Sequence, residues 1–197
     1  MEFIIFLFIA YLFGSISFGY LVVKKRKGIN IKEIGSGATG GTNVSRVLGR
    51  NWGFLVVILD ILKAALPVWL AMNFLVSDWQ ICLVILAAVL GHIYPVFLKF
   101  KGGKGVSVTI GALLPILTWK IVLFAVICVL GLIAVSKISS FASLTFASLL
   151  PLFLYSLTYK VEYFILGLLL FVLIWYAHRE NIKRIIKGTE KKSGLIL

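Results

Sequence analysis

Residues 3–28 read FIIFLFIAYLFGSISFGYLVVKKRKG, and this stretch decides the fold. Phe3 to Val23 is an uncharged, mostly apolar run, closed at once by Lys24-Lys25-Arg26-Lys27. A helix rises about 1.5 Å per residue, so about 20 apolar residues cross the ~30 Å hydrocarbon core of a bilayer. Cations crowded against the end of such a run mark its cytoplasmic side. Glu2 precedes the run where a leader would carry basic residues, and no small-residue cleavage site follows. The stretch therefore reads as a retained transmembrane helix with its N-terminus outside, and not as a signal peptide.

Six more apolar segments follow, at about 52–76, 79–98, 106–119, 121–136, 141–159 and 161–177. The chain is 61% hydrophobic, against near half for a soluble domain. The expected fold is an all-α integral membrane protein with seven transmembrane helices, forming a single domain over 1–197. The segment 106–119 is short for a full span, so it is expected to begin within the membrane, continuing a loop that dips inward.

The charges set the orientation. Seventeen of the 20 Lys and Arg residues fall in 24–51, 99–105, 137–140 and 178–197. Lys120 and Lys160 fall in the alternate connections, and Lys63 is inside a span. The loaded side is read as cytoplasmic, with the C-terminus on it, and the N-terminus outside requires an odd number of spans. Trp52, Trp79, Trp119 and Trp175 sit near segment ends, where interfacial aromatic belts are expected.

A net charge of +13 would suggest nucleic acid in a soluble protein. Here the cations lie between spans and no base-reading fold fits, so the partner they imply is anionic membrane lipid. Cys82 and Cys128 lie inside apolar runs without CxxC spacing, and His92 and His178 have no local zinc partners. No metal and no cofactor is expected.

Three polar clusters interrupt the apolar chain on the basic side. The first is Gly35-Ser36-Gly37-Ala38-Thr39-Gly40-Gly41-Thr42-Asn43 with Arg46. It matches GxGxxG without the βαβ context of a dinucleotide site, and Gly41 replaces the lysine of a P-loop. What it keeps is physical: glycines let backbone N–H groups converge on an anion, Ser36, Thr42 and Asn43 add donors, and Arg46 adds a bidentate fork. The second is Lys101-Gly102-Gly103-Lys104-Gly105, where Lys104 can act as a point charge on phosphate at the opening of a helix. The third is His178-Arg179-Glu180-Asn181, with His178 and Asn181 on one helical face.

Two positions inside spans add to this. His92, before Tyr94-Pro95, is either a site residue or a ring satisfied by a carbonyl that Pro95 leaves unpaired. Asp60 and Lys63, at i and i+3, are expected to form a structural ion pair near the site. GxSxG, HExxH and a twin-carboxylate motif are absent. The His-x4-Asp acyltransferase spacing also fails, because Phe97 and Lys183 stand five residues after His92 and His178.

Taken in order, GSGATGGTNVSR at 35–46, GHIYPVFLKFKGGKGVSVTIG at 91–111 and HRENIKRIIKGTE at 178–190 resemble the bacterial membrane acyl-phosphate:glycerol-3-phosphate acyltransferases. LDILK at 59–63 and SSFASL at 139–144 add weaker support. The resemblance implies seven membrane helices in the bacterial plasma (inner) membrane, with the active site facing the cytoplasm. It also implies transfer of a fatty acyl group from acyl phosphate to glycerol 3-phosphate, giving lysophosphatidic acid. By motif position it implicates Ser36, Arg46, Lys104, His178 and Asn181 in binding or catalysis, and Ser143 more weakly. Ala38 stands where that family has asparagine and Gly41 where it has alanine. Around this set, Gly35, Gly37, Gly40, Thr42, Asn43, His92, Lys101, Gly102, Gly103, Gly105 and Arg179 are expected to bind phosphate. No obligate protein partner is evident. A different class of function, a transporter of a phosphorylated anion, would also use glycines and cations at broken helices. The absence of an inverted repeat and the crowding of all three clusters on one side speak against it.

Overall fold

Residues 1–193 are described by a computed structural model, and within them every regular element is a helix. The one-domain reading extends to 197, and residues 194–197 lie outside the described ones. The first apolar run is broken in two. Helix α1 spans Glu2–Ser15 and α2 spans Phe18–Lys27, with Ile16 extended between them. The expectation of one unbroken helix over 3–23 is corrected here. The Ile16 carbonyl, lost to the helical ladder, is captured by the Lys63 ammonium at 2.5 Å. Close packing flanks the break: a Cβ on Gly14 would fall 2.2 Å from the Ala88 carbonyl oxygen, and one on Gly19 1.8 Å from that of Thr39.

A short helix α3, Gly41–Leu48, leads into α4, Arg50–Met72. Then come α5, Asp78–Ile93, and a small helix α6, Val106–Leu113. Helices α7, Trp119–Ser136, α8, Ser139–Thr158, and α9, Val161–Ala177, follow, and α10, Arg179–Ile186, ends the set. Among the described residues, five runs are long and apolar enough to cross a membrane: Glu2–Lys27, α4, Asp78–Leu98, α7 and α8. The pair α9 and α10 makes a sixth if taken as one bent span. The segment 106–119 yields only the eight helical residues of α6, because Pro115 follows and has no backbone N–H with which to continue the ladder.

The interior is built from small residues and branched aliphatics: Ala64, Val68, Val84, Ala88, Ala147 and Leu170 are all fully buried. Lipid-facing side chains gain nothing by leaving apolar tails, so helices associate by close packing. Gly111 of α6 shows how close: an added Cβ would lie 2.2 Å from the Ile61 carbonyl oxygen of α4. Gly167 of α9 sits likewise against Pro151 of α8, with 2.6 Å to its Cα. Helix α7 is the outlier. Only Val122 and Ile133 are buried on it, so most of its surface is left for lipid.

Candidate active site

The three clusters, far apart in sequence, line one cavity of about 160 Å³. Ser36, Gly40, Thr42 and Asn43 come from the first loop and the start of α3, and Arg46 from α3 itself. Lys104 and Gly105 come from the second loop, His178 and Asn181 from the α9–α10 junction, and Ser143 from α8. His92 and Asp60 also line it. One wall is apolar: Val126, Val129, Leu130 and Ile133 form an i, i+3, i+4, i+7 stripe on α7, facing Val57, Ile61 and Ile110.

The last span does not continue straight into its polar end. Helices α9 and α10 meet at 63° with His178 at the bend. His178 caps the start of α10 and Asn181 lies one turn on, and both line the cavity. The bend turns both into the interior, where they are 2% and 4% exposed. Nδ1 of His178 is 2.8 Å from the Ile174 carbonyl oxygen. A carbonyl only accepts, so Nδ1 carries the proton and Nε2 keeps the lone pair.

The Lys104 ammonium donates to Asn181 Oδ1 at 2.6 Å, and Asn181 Nδ2 donates to Glu190 Oε1 at 2.7 Å. Glu190 also accepts from Ser140 Oγ at 3.0 Å and from Arg184 Nε at 2.7 Å. Burial would raise the Glu190 carboxyl, but the bonds from Arg184, Asn181 and Ser140, with the charge of Arg184, outweigh it and hold the group below its usual range. Burial pushes Lys104 down to about 8, with Glu190 opposing and Arg184 and Arg46 adding to the shift. A lysine held there stays largely charged at neutral pH and has lost the water that would compete with a phosphate.

Much of the glycine-rich backbone is already committed within the protein. The Ser36 amide donates to Asn43 Oδ1, and Gly37 donates to the Ile34 carbonyl. Asn43 Nδ2 donates to the carbonyls of Ile34 and Ala38. Asn43 is thus the internal brace of the first loop. Gly35 and Gly37 adopt left-handed φ of 67° and 69°, which the brace requires. Position 38 contributes its carbonyl. Gly41 packs against α4, where a Cβ would meet Val57 at 2.5 Å and the Gly53 oxygen at 2.6 Å. In the second loop, what Gly102 and Gly103 approach closely is the end of α5: their amides donate to the carbonyls of Ile93 and His92. Gly105, with φ 88°, turns the chain into α6.

Two cations lie outside the inner cavity. Lys101 and Arg179 flank a shallower groove with Gly102, Gly103 and Lys104, and Arg179 stacks on Tyr176 at 4.5 Å. Arg46 lines the inner cavity while donating to the Lys191 and Lys192 carbonyls, the shortest bond being 2.8 Å. Ser143 Oγ donates to the Ser139 carbonyl one turn back. His92 meets the Lys63 ammonium, not a carbonyl freed by Pro95, and the Asp60–Lys63 ion pair forms at 2.8 Å. Glu190 and Ser140 had no assigned role in the sequence. The available signal was an isolated acid among Lys187, Lys191 and Lys192.

A polar, cationic cavity that runs into an apolar helix stripe defines a membrane protein acting on a lipid-soluble and a phosphate-bearing compound together. A family model described as glycerol-3-phosphate acyltransferase matches residues 4–188. The glycerol-3-phosphate acyltransferase of Lawsonia intracellularis is 39% identical over 95% of this chain and 94% of its own. That of Aquifex aeolicus is 41% identical over 93% and 95%. The crystal structure of PlsY (YgiH), an integral membrane glycerol 3-phosphate acyltransferase in its glycerol 3-phosphate form, superposes with a TM-score of 0.91 at 38% identity, covering 98% of this chain and 96% of that one. Its lysophosphatidic acid form gives 0.87 at 37%, covering 100% and 97%. The chain belongs to the glycerol-3-phosphate acyltransferase family, and it is a multi-span membrane acyltransferase of phospholipid synthesis.

Proposed function

We propose that the enzyme transfers a fatty acyl group from an acyl phosphate to glycerol 3-phosphate at this cavity, releasing lysophosphatidic acid and inorganic phosphate. The observation that carries the reading is the meeting of Arg46, Lys104, His178 and Asn181 with the apolar stripe of α7. An acyl phosphate and a lysophosphatidic acid are each an anion joined to a hydrocarbon tail, and the cavity has the same two ends. The acceptor and product follow from the names of the related PlsY structures.

An acyl phosphate is a mixed anhydride with an activated carbonyl, so the chemistry calls for no cofactor and no covalent enzyme intermediate. The glycerol hydroxyl oxygen bonds to the carbonyl carbon, and the bond from that carbon to the phosphate oxygen breaks. The hydroxyl proton passes to His178 Nε2 or to the departing phosphate. Arg46 and Lys104 offset the repulsion between two phosphates, and holding both reactants in one small cavity supplies the proximity. Ser36 and Ser143 add hydroxyl donors at the wall, and Lys101 and Arg179 draw anions toward the mouth.

The same proposal places the chain in the bacterial plasma membrane as one domain with the site facing the cytoplasm. Helix α6 and the loop before it complete a seventh crossing, and the N-terminus is outside. The cation distribution supports this orientation. Cysteines placed singly at the exposed Lys25, Lys101 and Lys187, after replacement of Cys82 and Cys128, should resist an impermeant reagent in intact cells and react in inverted vesicles. Labelling from outside would overturn the orientation. For the donor, purified protein should make lysophosphatidic acid from palmitoyl phosphate without ATP or coenzyme A. Turnover of palmitoyl-CoA with none of palmitoyl phosphate would overturn it. Activity in detergent without a gradient separates an enzyme from an anion transporter.

A further inference from the structure

Lys63 is a cation in the middle of an apolar helix, and its side chain is 2% exposed. Its ammonium donates to the Ile16 carbonyl at 2.5 Å, lies 3.0 Å from His92 Nδ1, and is ion-paired with Asp60 Oδ1 at 2.8 Å. An ammonium only donates. Nδ1 of His92 therefore presents its lone pair, and the ring proton sits on Nε2.

That ring is the seat of the second glycine loop. A Cβ on Gly103 would fall 2.0 Å from His92 Nε2, and one on Gly102 2.1 Å from the His92 carbonyl oxygen. The Gly103 amide donates to the same carbonyl at 3.0 Å. The next residue is Lys104, whose ammonium reaches Asn181 across the cavity. A continuous chain of contacts thus runs from Lys63 through His92 and Gly103 to Lys104. The two histidines of the chain are held in opposite tautomers, since His178 donates from Nδ1 and His92 accepts there.

We propose that Lys63 is a positioning residue for the acyl transfer: it holds His92 as a neutral ring protonated on Nε2, which seats the Gly102-Gly103 loop and so aims Lys104. His92 is thereby removed from proton transfer, and His178 is the histidine with a lone pair to offer. The inference rests on the reading of this cavity as the active site. The tautomer itself does not depend on that reading, and the first arm of the test measures it without substrate.

Full-length protein carrying isotope-labelled histidine has two ring signals to resolve, and a His178→Asn sample assigns them. His92 should show an unprotonated Nδ1 and a protonated Nε2, unchanged between about pH 6 and 8, where a free histidine titrates. A protonated Nδ1, or titration in that window, overturns the proposal. The second arm is kinetic. His92→Gln places an amide N–H near the Nε2 position but replaces the ring under the glycine loop, and should raise KM for glycerol 3-phosphate more than it lowers kcat. Lys63→Met should raise KM for glycerol 3-phosphate about tenfold, the loss of roughly one charge-assisted phosphate contact, with a smaller fall in kcat. Lys63→Arg should recover part of that rise. A His92→Gln enzyme that loses kcat about a hundredfold with KM unchanged would make His92 a proton-transfer group and refute the inference. If Lys63→Met does not fold, the tautomer of the unaltered protein still decides.

Discussion

Glu190→Gln removes one charge from the buried hub beneath Lys104 while keeping its shape. The Glu190 side chain is 3% exposed and accepts from Asn181 and Ser140 on one oxygen and from Arg184 on the other. A carboxylate only accepts, so it forces Asn181 to present Nδ2 to it and Oδ1 to Lys104. A glutamine has one accepting and one donating end. With its nitrogen toward Arg184, the guanidinium loses its acceptor; with its nitrogen toward Asn181, that amide rotates and Lys104 loses Oδ1. A hydrogen bond to a charged group is worth about 1.5–3 kcal/mol. Arg184 is 32% exposed, so solvent screening favours the lower end, about 1.5 kcal/mol. For a chain of this size that lowers Tm by about 3–6 °C. Because the carboxyl is held below its usual value, its contribution is complete above about pH 4.3 and fades as pH falls through the folded value. The Tm gap between parent and variant should therefore close on acidification. Activity shifts too. The charge of Glu190 opposes the burial that brings Lys104 to about 8, so without it Lys104 loses its proton at lower pH. The alkaline limb of kcat/KM, measured by acylation of glycerol 3-phosphate, should move to lower pH in Glu190→Gln. An unchanged Tm together with an alkaline limb at the parent position would refute the hub.

Lys104→Ala and Arg46→Ala should each lose about ten- to a hundredfold in kcat/KM, from charge-assisted contacts of about 1.5–3 kcal/mol, while Lys25→Ala in the exposed basic run should lose little. Equal losses in the steady-state assay would mean that only bulk charge matters. In the parent enzyme, KM for glycerol 3-phosphate should climb as pH passes about 8 and Lys104 is deprotonated, and a flat profile well above that pH would exclude its charge from binding. Gly111→Ala puts a Cβ 2.2 Å from the Ile61 oxygen, so α4 and α6 must separate; a loss of about 1–3 kcal/mol should appear in thermal unfolding, and an unchanged Tm would contradict the packing.

The membrane helices were legible in the chain because bilayer thickness fixes their length in residues, and no partner is needed to read a run such as 141–159, which forms α8 over Ser139–Thr158. The three polar clusters were legible for a related reason. Glycines and cations between apolar runs stand out locally, and they do line one cavity. The breaks were not legible. The Ile16 carbonyl exposed by the gap between α1 and α2 is held by Lys63, 47 residues on, and α9 and α10 meet at 63° around His178. The glycines illustrate the limit most directly. Sequence gives their conformational freedom but not what comes near them, and here Gly102 and Gly103 lie against His92 and Gly41 against α4. Glu190 reads as one acid among lysines until the fold brings Ser140, 50 residues away, to its oxygen. Composition and period act through neighbours in the chain, so they determine which segments enter the membrane. The tautomer of His92, the seat of Lys104 and the hold on Arg46 come from residues 29, 77 and 146 positions apart, and only the packed helices bring those together.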